Sequence, residues 1–416
     1  EAFYIAKTGR PGPVLIDFPV DIQRKEGKFY WPENVEIRSY KPKYEGHPLQ
    51  IKKAWELIEN SKRPILICGG GVIISKANEE LKKFLEITGI PFVFTLLGLG
   101  SIDVEADLSL GMIGMHGTKY GNYAVSECDL LVSVGCRFDD RVTGKIDEFA
   151  PNAKIIHIDI DPSAISKNVP VDVPIVGDAK LVLKKLNEMA KKLDIDEWRK
   201  KVIEWKKMYP LKYEMNGLKP QYIIEKISEY TKGDAIICTE VGQNQMWTAQ
   251  YYKFKKPRTL ITSGGLGTMG FGFPASIGAK VANPDKIVID IAGDGSIQMN
   301  IQELATAVYN KIAVKVFILN NCYLGMVRQW QQLFYNKRYA FTCLEGAQPD
   351  FIKLAESYGA IGYRVKTKEE FDKILPSVLK EKEKVVLVDC RITPEENVFP
   401  MVPAGASLKE ILDGLA

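Results

Sequence analysis

Histidine is scarce in this chain, which restricts the chemistry that depends on it. The 416 residues include three histidines, His47, His116 and His157. They offer little material for a Ser-His-Asp hydrolase or for a metal centre ligated by imidazole. Seven cysteines are present without a CxxC pair, and most lie in apolar, strand-like runs. This usage predicts reduced, buried thiols and a cytoplasmic location.

Charge of one sign and long apolar runs are also lacking. Lys and Arg total 56 against 52 acidic residues, and the net charge of +4 gives no reason to expect nucleic acid or an anionic membrane as a partner. No apolar run approaches the roughly 20 residues that span a bilayer. The hydrophobic fraction of 46% is that of a globular protein, and the length predicts two or three domains.

Strand-like runs alternate with helical patterns in two stretches, which predicts two α/β domains, each with a parallel sheet between layers of helices. Strands are expected at 14–18, 64–68, 91–95, 130–134 and 155–159, and then at 235–238, 259–261, 288–291, 314–319, 361–365 and 385–388. We expect residues 1–25 to be the tail of a domain whose remainder precedes this chain, 26–48 a linker, 49–182 a central domain, 183–219 a helical linker and 220–416 a C-terminal domain.

Two polar loop tips follow two of the strands predicted in the second stretch. One strand runs into GDGS at 293–296, and the next runs into NN at 320–321. Because neighbouring parallel strands end at one edge of a sheet, Asp294 and Asn321 are expected side by side. Oxygen ligands without His or Cys are typical of Mg²⁺ sites, and glycine lets backbone N–H groups approach an anion. The pattern predicts a Mg²⁺–diphosphate site, although GDGS alone is equally consistent with a turn.

The stretch EVGQNQ at 240–245 follows another predicted strand and opens a helix. Backbone donors at a helix start suit a diphosphate oxygen, and Gln243 and Asn244 can add side-chain donors. An ordinary helix start is the alternative that this stretch leaves open by itself.

The run GLGTMG at 265–270 matches the GxGxxG pattern of dinucleotide-binding proteins. Asp290 or Asp294 lies near the spacing at which such proteins carry an acid. However, Asp294 is better explained as a metal ligand, and the run is too rich in glycine to be helical. We therefore favour a different role for this run over nicotinamide binding.

GDGS, the helix and strand after it, and NN together resemble the signature of thiamine-diphosphate enzymes. Over essentially the whole chain, the sequence resembles the large catalytic subunit of acetohydroxyacid (acetolactate) synthase. The resemblance implies decarboxylation of pyruvate on thiamine diphosphate and ligation of the two-carbon unit to a second pyruvate or to 2-oxobutyrate. Glyoxylate carboligase, pyruvate oxidase and a non-catalytic cofactor-binding fragment remain alternatives.

The resemblance also assigns residues to the thiamine and substrate sites. It implies Mg²⁺ binding by Asp294, Asn321 and the backbone carbonyl of Tyr323. The implied thiamine-diphosphate residues are Val241, Gly242, Gln243, Asn244, Gly267, Met269, Gly293, Gly295, Ser296, Tyr323, Gly325 and Met326. Asn244 stands where the family usually has His, and Met269 would be the apolar wedge that bends the cofactor. Arg141, Met326 and Trp330 would contact the second keto acid.

Two further motifs resemble the FAD-binding pattern of the biosynthetic enzyme, GMIGMHGT at 111–118 and GCRFDDRVTG at 135–144. Catabolic acetolactate synthases, which lack FAD, do not carry RFDDRVTG. The implied FAD residues are Gly69, Gly70, Gly71, Thr95, Leu96, Met115, His116, Gly117, Arg137, Asp139, Arg141, Val142, Asp159, Ile160, Asp178 and Ala179. Arg137 suits a diphosphate, and Asp159 follows a strand at a place where an acid can bond ribose hydroxyls.

The resemblance finally implies partners. An active site shared between subunits implies a homodimer or homotetramer, and a small regulatory subunit is expected to bind. In the family, a Glu from the N-terminal domain of a partner subunit activates the cofactor pyrimidine. No acid in this chain matches that role, so we expect residues 1–416 alone to show negligible turnover.

Overall fold

The first half of the chain folds around a six-stranded, all-parallel sheet in the order β3-β2-β1-β4-β5-β6. The computed structural model describes residues 1–414. The strands are β1 (Pro64–Cys68), β2 (Phe92–Phe94), β3 (Ser109–Met112), β4 (Leu130–Val134), β5 (Lys154–Asp159) and β6 (Val173–Val176). The central strands PILIC and LLVSV are buried along their whole length, as expected for a parallel sheet that is covered on both faces.

The second half contains another six-stranded, all-parallel sheet, in the order β11-β12-β10-β9-β7-β8. Its strands are β7 (Ile236–Thr239), β8 (Leu260–Thr262), β9 (Val288–Gly293), β10 (Lys315–Asn320), β11 (Ile361–Val365) and β12 (Val386–Arg391). The fold class predicted from the sequence, two parallel α/β sheets, is therefore confirmed. β9 and β10 are hydrogen-bonded neighbours, so the two loop tips that follow them share one edge.

Helices surround both sheets. Those of the first half are α1 (Ala2–Lys7), α2 (Val20–Arg24), α3 (Pro48–Asn60), α4 (Gly70–Ile74), α5 (Asn78–Thr88), α6 (Lys119–Glu127), α7 (Asp140–Thr143), α8 (Ala179–Met189) and α9 (Asp196–Met208). Those of the second half are α10 (Pro220–Thr231), α11 (Gln243–Tyr251), α12 (Gly272–Ala282), α13 (Leu304–Tyr309), α14 (Gly325–Phe334), α15 (Phe351–Tyr358) and α16 (Lys368–Lys380). None of the helices in residues 1–414 has the length and apolarity that would let it cross a membrane.

Two details differ from the sequence-based expectation. The strand expected at 14–18 is absent from the described structure, because this segment is exposed and pairs with no other strand; Leu15 is 95% exposed. The short strands β3 and β6 were not predicted. Helix α8 buries Val182, Leu183 and Leu186 in the core of the first half. The domain boundaries themselves stay a prediction.

Candidate active site

The two predicted metal-ligand tips converge at the carboxyl edge of the second sheet. The register pairs Gly293 at the end of β9 with Leu319 of β10, so Asp294 and Asn321 follow from neighbouring strand ends. Both side chains are buried, with exposed fractions of 1% and 5%. The backbone N–H of Cys322, the residue after Asn321, lies close enough to the Asp294 carboxylate to lower its pKa. The loops that carry Asp294 and Asn321 are therefore adjacent.

The loop after β10 is shaped by two amide side chains that bond to their own backbone. Asn320 Oδ1 accepts a hydrogen bond from the N–H of Cys322 at 3.1 Å, and Asn321 Oδ1 accepts one from the N–H of Tyr323 at 3.0 Å. Such bonds two residues ahead reverse the chain sharply. Cys322 accordingly has a φ of +61°, a conformation that residues other than glycine seldom adopt.

The electrostatic surroundings of Asp294 favour a bound cation. Burial raises its pKa to about 7, and the N–H groups of Asp294, Gly295 and Cys322 oppose that rise. Asp294 forms no ion pair with any residue in the described part of the chain. No cluster of three His, Cys, Asp or Glu side chains exists within residues 1–414 that could hold a metal. A carboxylate with amide and carbonyl oxygens, the set that Mg²⁺ accepts, is what this edge offers.

Helix α11 begins beside these tips, and its first residues support them. Gln243 Oε1 accepts from Asn321 Nδ2 at 3.2 Å, while Gln243 Nε2 donates to Gln329 Oε1 at 2.9 Å. Asn244 Nδ2 donates to the carbonyl of Ile291 in β9 at 2.7 Å. Because both side-chain amides donate to protein acceptors, the donors left for an anion at this helix start are backbone N–H groups. Gly242, with a φ of +145°, gives this turn a conformation that a side chain would strain.

The glycine-rich run forms an open loop, and helix α12 begins only after it, at Gly272. A Cβ at Gly265 would meet nothing within 4 Å, and one at Gly267 would meet only Val241 Cγ1 at 3.8 Å. Met269 lies at the other end of the loop, where its Cε is 3.9 Å from the Cβ position of Gly295. Met269 therefore brings the glycine loop into contact with the GDGS turn, and its role as a wedge stays a prediction.

A buried acid holds the base of this loop. Glu240 accepts hydrogen bonds from the N–H of Gly270 at 2.6 Å and from that of Phe273 at 3.0 Å. Its carboxyl neighbour is Asp290, on β9, which is fully buried and has no hydrogen-bond partner for either oxygen among the described residues. Burial raises the pKa of both acids, and the charge of Glu240 raises that of Asp290 further. Protonation of this pair is therefore easier than that of a solvent-exposed acid.

A cavity of about 800 Å³ extends from the glycine loop across the carboxyl edge of the first sheet. Val241, Gly242, Gly267, Met326 and Trp330 line it from the second half of the chain. The residues implied for FAD line it from the first half, except Gly69 and Gly117. Gly69 instead permits close packing, because a Cβ there would lie 2.1 Å from the carbonyl oxygen of Gly135. Gly117 packs against the backbone of Ile113 in the same way.

The remaining residues that the sequence implied for thiamine diphosphate and Mg²⁺ do not line this cavity. They form the deeper group around the metal tips: Gln243, Asn244, Met269, Gly293, Asp294, Gly295, Ser296, Asn321, Tyr323 and Gly325. Ser296 Oγ donates back to the Gly293 carbonyl at 3.2 Å and so closes the GDGS turn.

Charged groups of both signs face the part of the cavity that the first half of the chain lines. Asp159 ends β5, and burial raises its pKa. Asp178 caps α8 by accepting from the N–H of Leu181 at 3.2 Å. Arg137 lies 3.9 Å from Asp139, and both are about half exposed. The cavity thus has acids at two strand ends and a guanidinium beside its glycine turns.

Sequence reasoning missed the contribution of the N-terminal segment. Lys7, Gly9, Arg10 and Tyr44 line the cavity, although the sequence assigned them to a domain tail and a linker. Arg10 reaches Asp161 at 3.4 Å, and Tyr44 accepts a hydrogen bond from the N–H of Gly9 at 3.0 Å. The sequence feature that could have indicated this contribution is a cationic residue, Arg10, inside the turn-forming run Gly-Arg-Pro-Gly.

Comparison with known families agrees with the division of the chain into two halves. Residues 51–186 match the central domain of thiamine pyrophosphate enzymes, and residues 240–390 match their C-terminal TPP binding domain.

Curated relatives match nearly the whole chain. The acetolactate synthase large subunit of Buchnera aphidicola subsp. Schizaphis graminum is 48% identical, over 99% of this chain and 74% of its own length. That of Haemophilus influenzae is 46% identical with the same two coverages. The acetolactate synthase isozyme 3 large subunit of Escherichia coli is 43% identical, again over 99% of this chain and 74% of its own length.

Proposed function

Because this chain belongs to the acetolactate synthase large-subunit family of thiamine pyrophosphate enzymes, we propose that it converts two molecules of pyruvate into 2-acetolactate and CO₂. With 2-oxobutyrate as the second substrate it forms 2-aceto-2-hydroxybutyrate. This reaction is the first common step in the biosynthesis of valine, leucine and isoleucine. The observation that carries the proposal is the convergence of Asp294 and the Asn321 loop beside a cavity that both halves of the chain line.

We assign Mg²⁺ to Asp294, Asn321 and the carbonyl of Tyr323. The support is a buried carboxylate with a raised pKa and no ion pair in residues 1–414, next to a loop whose turn is fixed by its own amide groups. Backbone N–H groups at Gly242 and in the GDGS turn would bind the diphosphate, and Met269 would orient the ring end. When bound, thiamine diphosphate supplies the electron sink for loss of CO₂ and for formation of the new carbon–carbon bond.

FAD is proposed for the part of the cavity that the first half lines. The volume of about 800 Å³ lies within the range of cofactor pockets. Gly71 and Gly135 approach so closely that a Cβ on Gly71 would lie 2.6 Å from the Cα of Gly135, and both glycines line the cavity, where their backbone would contact a diphosphate. Arg10 and Arg137 supply positive charge there, and Asp159 can accept from ribose hydroxyls.

The second keto acid is placed where the two halves meet. Arg141, whose guanidinium is largely exposed and lies 3.0 Å from Asp140, lines the cavity and would bind the substrate carboxylate. Met326 and Trp330, one turn apart on α14, line the same cavity and would contact the alkyl group.

We further propose that the carboxylate that activates the pyrimidine lies outside residues 1–416. Among the described residues, the acids that line the cavity are Asp139, Asp140, Asp159 and Asp178, all in the flavin half. Glu240, the acid beneath the glycine loop, is engaged by backbone N–H groups. Turnover by residues 1–416 alone would contradict this proposal.

The assembly and its location are proposals as well. The relatives are named large subunits, which supports a small regulatory subunit as a partner of this chain. A homodimer or homotetramer would allow one subunit to supply the activating acid to another. The seven free cysteines fit a cytoplasmic enzyme.

The test is product analysis with the full-length protein. With thiamine diphosphate, Mg²⁺ and FAD, pyruvate alone should give 2-acetolactate, and omission of Mg²⁺ should abolish its formation. An oxidase would instead reduce and reoxidise its flavin during turnover. Formation of acetyl phosphate or acetate with cycling flavin, and no acetolactate, would reject the proposal.

A further inference from the structure

A third strand lies behind the two metal-ligand tips and carries charged residues at its end. Asp389 of β12 is fully buried. Its carboxylate accepts hydrogen bonds from Asn320 Nδ2 at 2.8 Å, from Arg364 Nε at 2.8 Å and from Arg391 Nε at 3.2 Å. Because a buried carboxylate with three donors holds its direction firmly, Asp389 fixes the side chain of Asn320, the residue that precedes Asn321.

One connection leads from this acid to the loop that carries Asn321. Asn320 Oδ1 accepts from the N–H of Cys322, whose φ is positive. Arg391 Nη1 lies 3.2 Å from Cys322 Sγ and donates to it. The strained residue in the turn is therefore bonded at its backbone and at its side chain, and both bonds lead back to β12.

A second connection leads to the Asp294 tip. Gln348, in the loop before α15, lies between Arg391 and Asp294. One end of its amide lies 3.1 Å from Asp294 Oδ2, and the other lies 3.3 Å from Arg391 Nη1. With Nε2 toward Asp294, the amide donates to that carboxylate and accepts from Arg391; the reverse orientation instead donates to Asn320 Oδ1 and Cys322 Sγ, each at 3.2 Å. We assign the first orientation, because the reverse one sets a carbonyl oxygen against the carboxylate and an amide nitrogen against the guanidinium.

We propose that Gln348 and Arg391 are positioning residues that hold the Asp294 carboxylate in register with Asn321 and thereby set the affinity of this site for Mg²⁺. The inference rests on the proposed function, since it assumes that Asp294 and Asn321 bind the ion. Neither Gln348 nor Arg391 is a ligand. Partners that orient metal ligands in this way change metal affinity by about 10–100-fold when they are removed.

The test compares Gln348→Leu and Arg391→Met with Arg364→Met as a matched control. Arg364 donates to the same carboxylate as Arg391, but its other contact is Asp350, at 2.8 Å, away from the metal tips. The measurement is the Mg²⁺ concentration that gives half-maximal thiamine diphosphate binding by the full-length protein, followed through intrinsic tryptophan fluorescence. The melting temperature without Mg²⁺ is recorded for each variant.

Gln348→Leu and Arg391→Met are expected to raise that Mg²⁺ concentration by about 10–100-fold. At saturating Mg²⁺ the kcat should return to near that of the unchanged protein. Arg364→Met should shift that concentration by less than about tenfold, the low end of the range for partners that orient a ligand, because Asn320 Nδ2 and Arg391 Nε still donate to Asp389. An unchanged Mg²⁺ requirement in Gln348→Leu would overturn the inference, as would an equal shift in Arg364→Met. If Arg391→Met does not fold, Gln348→Leu, which alters a loop residue, decides the question.

Asp294→Ala separates this inference from the proposed function. If Asp294→Ala leaves the Mg²⁺ dependence of cofactor binding intact, the metal site itself is wrong. If Asp294→Ala abolishes the dependence while Gln348→Leu does not change it, only the positioning role is wrong.

Discussion

Asn321 Nδ2 donates to Gln243 Oε1 at 3.2 Å, and this bond joins the loop after β10 to the first turn of α11. Gly325 lies directly against it. A Cβ at residue 325 would stand 2.1 Å from Gln243 Oε1 and 2.7 Å from Asn321 Nδ2, closer than real Cβ atoms approach. The proposed metal and diphosphate ends of the site therefore depend on a glycine at this position.

Gly325→Ala should accordingly weaken Mg²⁺-dependent binding of thiamine diphosphate. The new methyl group must displace either the Gln243 amide or the Asn321 amide, and overpacking of this kind costs about 1–3 kcal/mol. We expect at least about a tenfold increase in the dissociation constant, measured by isothermal titration of the full-length protein, since about 1.4 kcal/mol corresponds to tenfold.

Gly278→Ala is the matched control for Gly325→Ala. Gly278 lies inside α12, and a Cβ there would meet nothing within 4 Å. Alanine should stabilise this helix by about 0.5–1 kcal/mol and leave cofactor binding unchanged. If both variants weaken binding equally, the close contact at Gly325 is not the cause.

The buried pair Glu240 and Asp290 gives a prediction for pH. Burial and the charge of Glu240 raise the pKa of Asp290 well above its usual value. The folded state therefore binds more protons than the unfolded state, so the stability from this group is complete below the unfolded pKa and is lost as pH rises toward the folded pKa. Asp290→Asn keeps the shape and stays neutral, so this loss should disappear.

Urea unfolding at about pH 5 and about pH 8 checks this prediction. The free energy of unfolding should decline less between the two pH values in Asp290→Asn than in the unchanged protein. Part of the decline should remain in the variant, because the pKa of Glu240 is also raised. Asp290→Ala leaves a cavity and should be destabilised at both pH values. A pH dependence of Asp290→Asn identical to that of the unchanged protein would show that Asp290 is ionised in the folded state.

The features that sequence could predict are those encoded in one continuous segment. GDGS and NN each follow a strongly apolar strand, so their meeting at one sheet edge followed from parallel pairing of β9 and β10. Strand β6 was missed because VPIV is short and contains Pro174, and β3 because SLGM is short and contains Gly111. In the structure, β3 pairs with β2 and β6 pairs with β5.

Contacts between distant segments were out of reach of such reasoning. Arg10 meets Asp161 from 151 positions away, and the Gly-Arg-Pro-Gly turn around Arg10 does not indicate that partner. Gln348 and Arg391 are likewise ordinary in their own segments, and only the folded structure brings them to Asp294. Local patterns identified the proposed ligands, whereas the residues that orient them depend on tertiary structure.

Gly71→Ala tests the part of the cavity that is proposed to bind FAD. Its Cβ would lie 2.6 Å from the Cα of Gly135, so one of two backbone turns must move. We expect a loss of about 1–3 kcal/mol in stability and a lower ratio of bound flavin to protein, measured by absorbance after gel filtration. Gly27→Ala, where a Cβ meets nothing within 4 Å, should keep the full ratio. Normal flavin content in Gly71→Ala would remove these turns from the FAD proposal.

Trp330 should decide how well the enzyme discriminates between second substrates. Its indole lines the cavity next to Met326 and lies 5.1 Å from the ring of Phe334, which does not line the cavity. One methylene in an apolar pocket is worth about 1–3 kcal/mol, so a preference for 2-oxobutyrate over pyruvate of about 10–200-fold depends on how closely the pocket fits. Trp330→Leu opens the pocket and should reduce that preference.

The measurement is the ratio of 2-aceto-2-hydroxybutyrate to 2-acetolactate formed in one reaction with both substrates, because this ratio does not depend on the amount of active enzyme. Trp330→Leu should lower the product ratio by about tenfold, which is the lower end of the discrimination that one methylene provides in an apolar pocket. Phe334→Leu removes an aromatic ring from the same helix outside the cavity, and its ratio should stay near that of the unchanged protein. Equal ratios in the two variants would mean that α14 affects substrate choice only through its packing, and that the indole does not contact the second substrate.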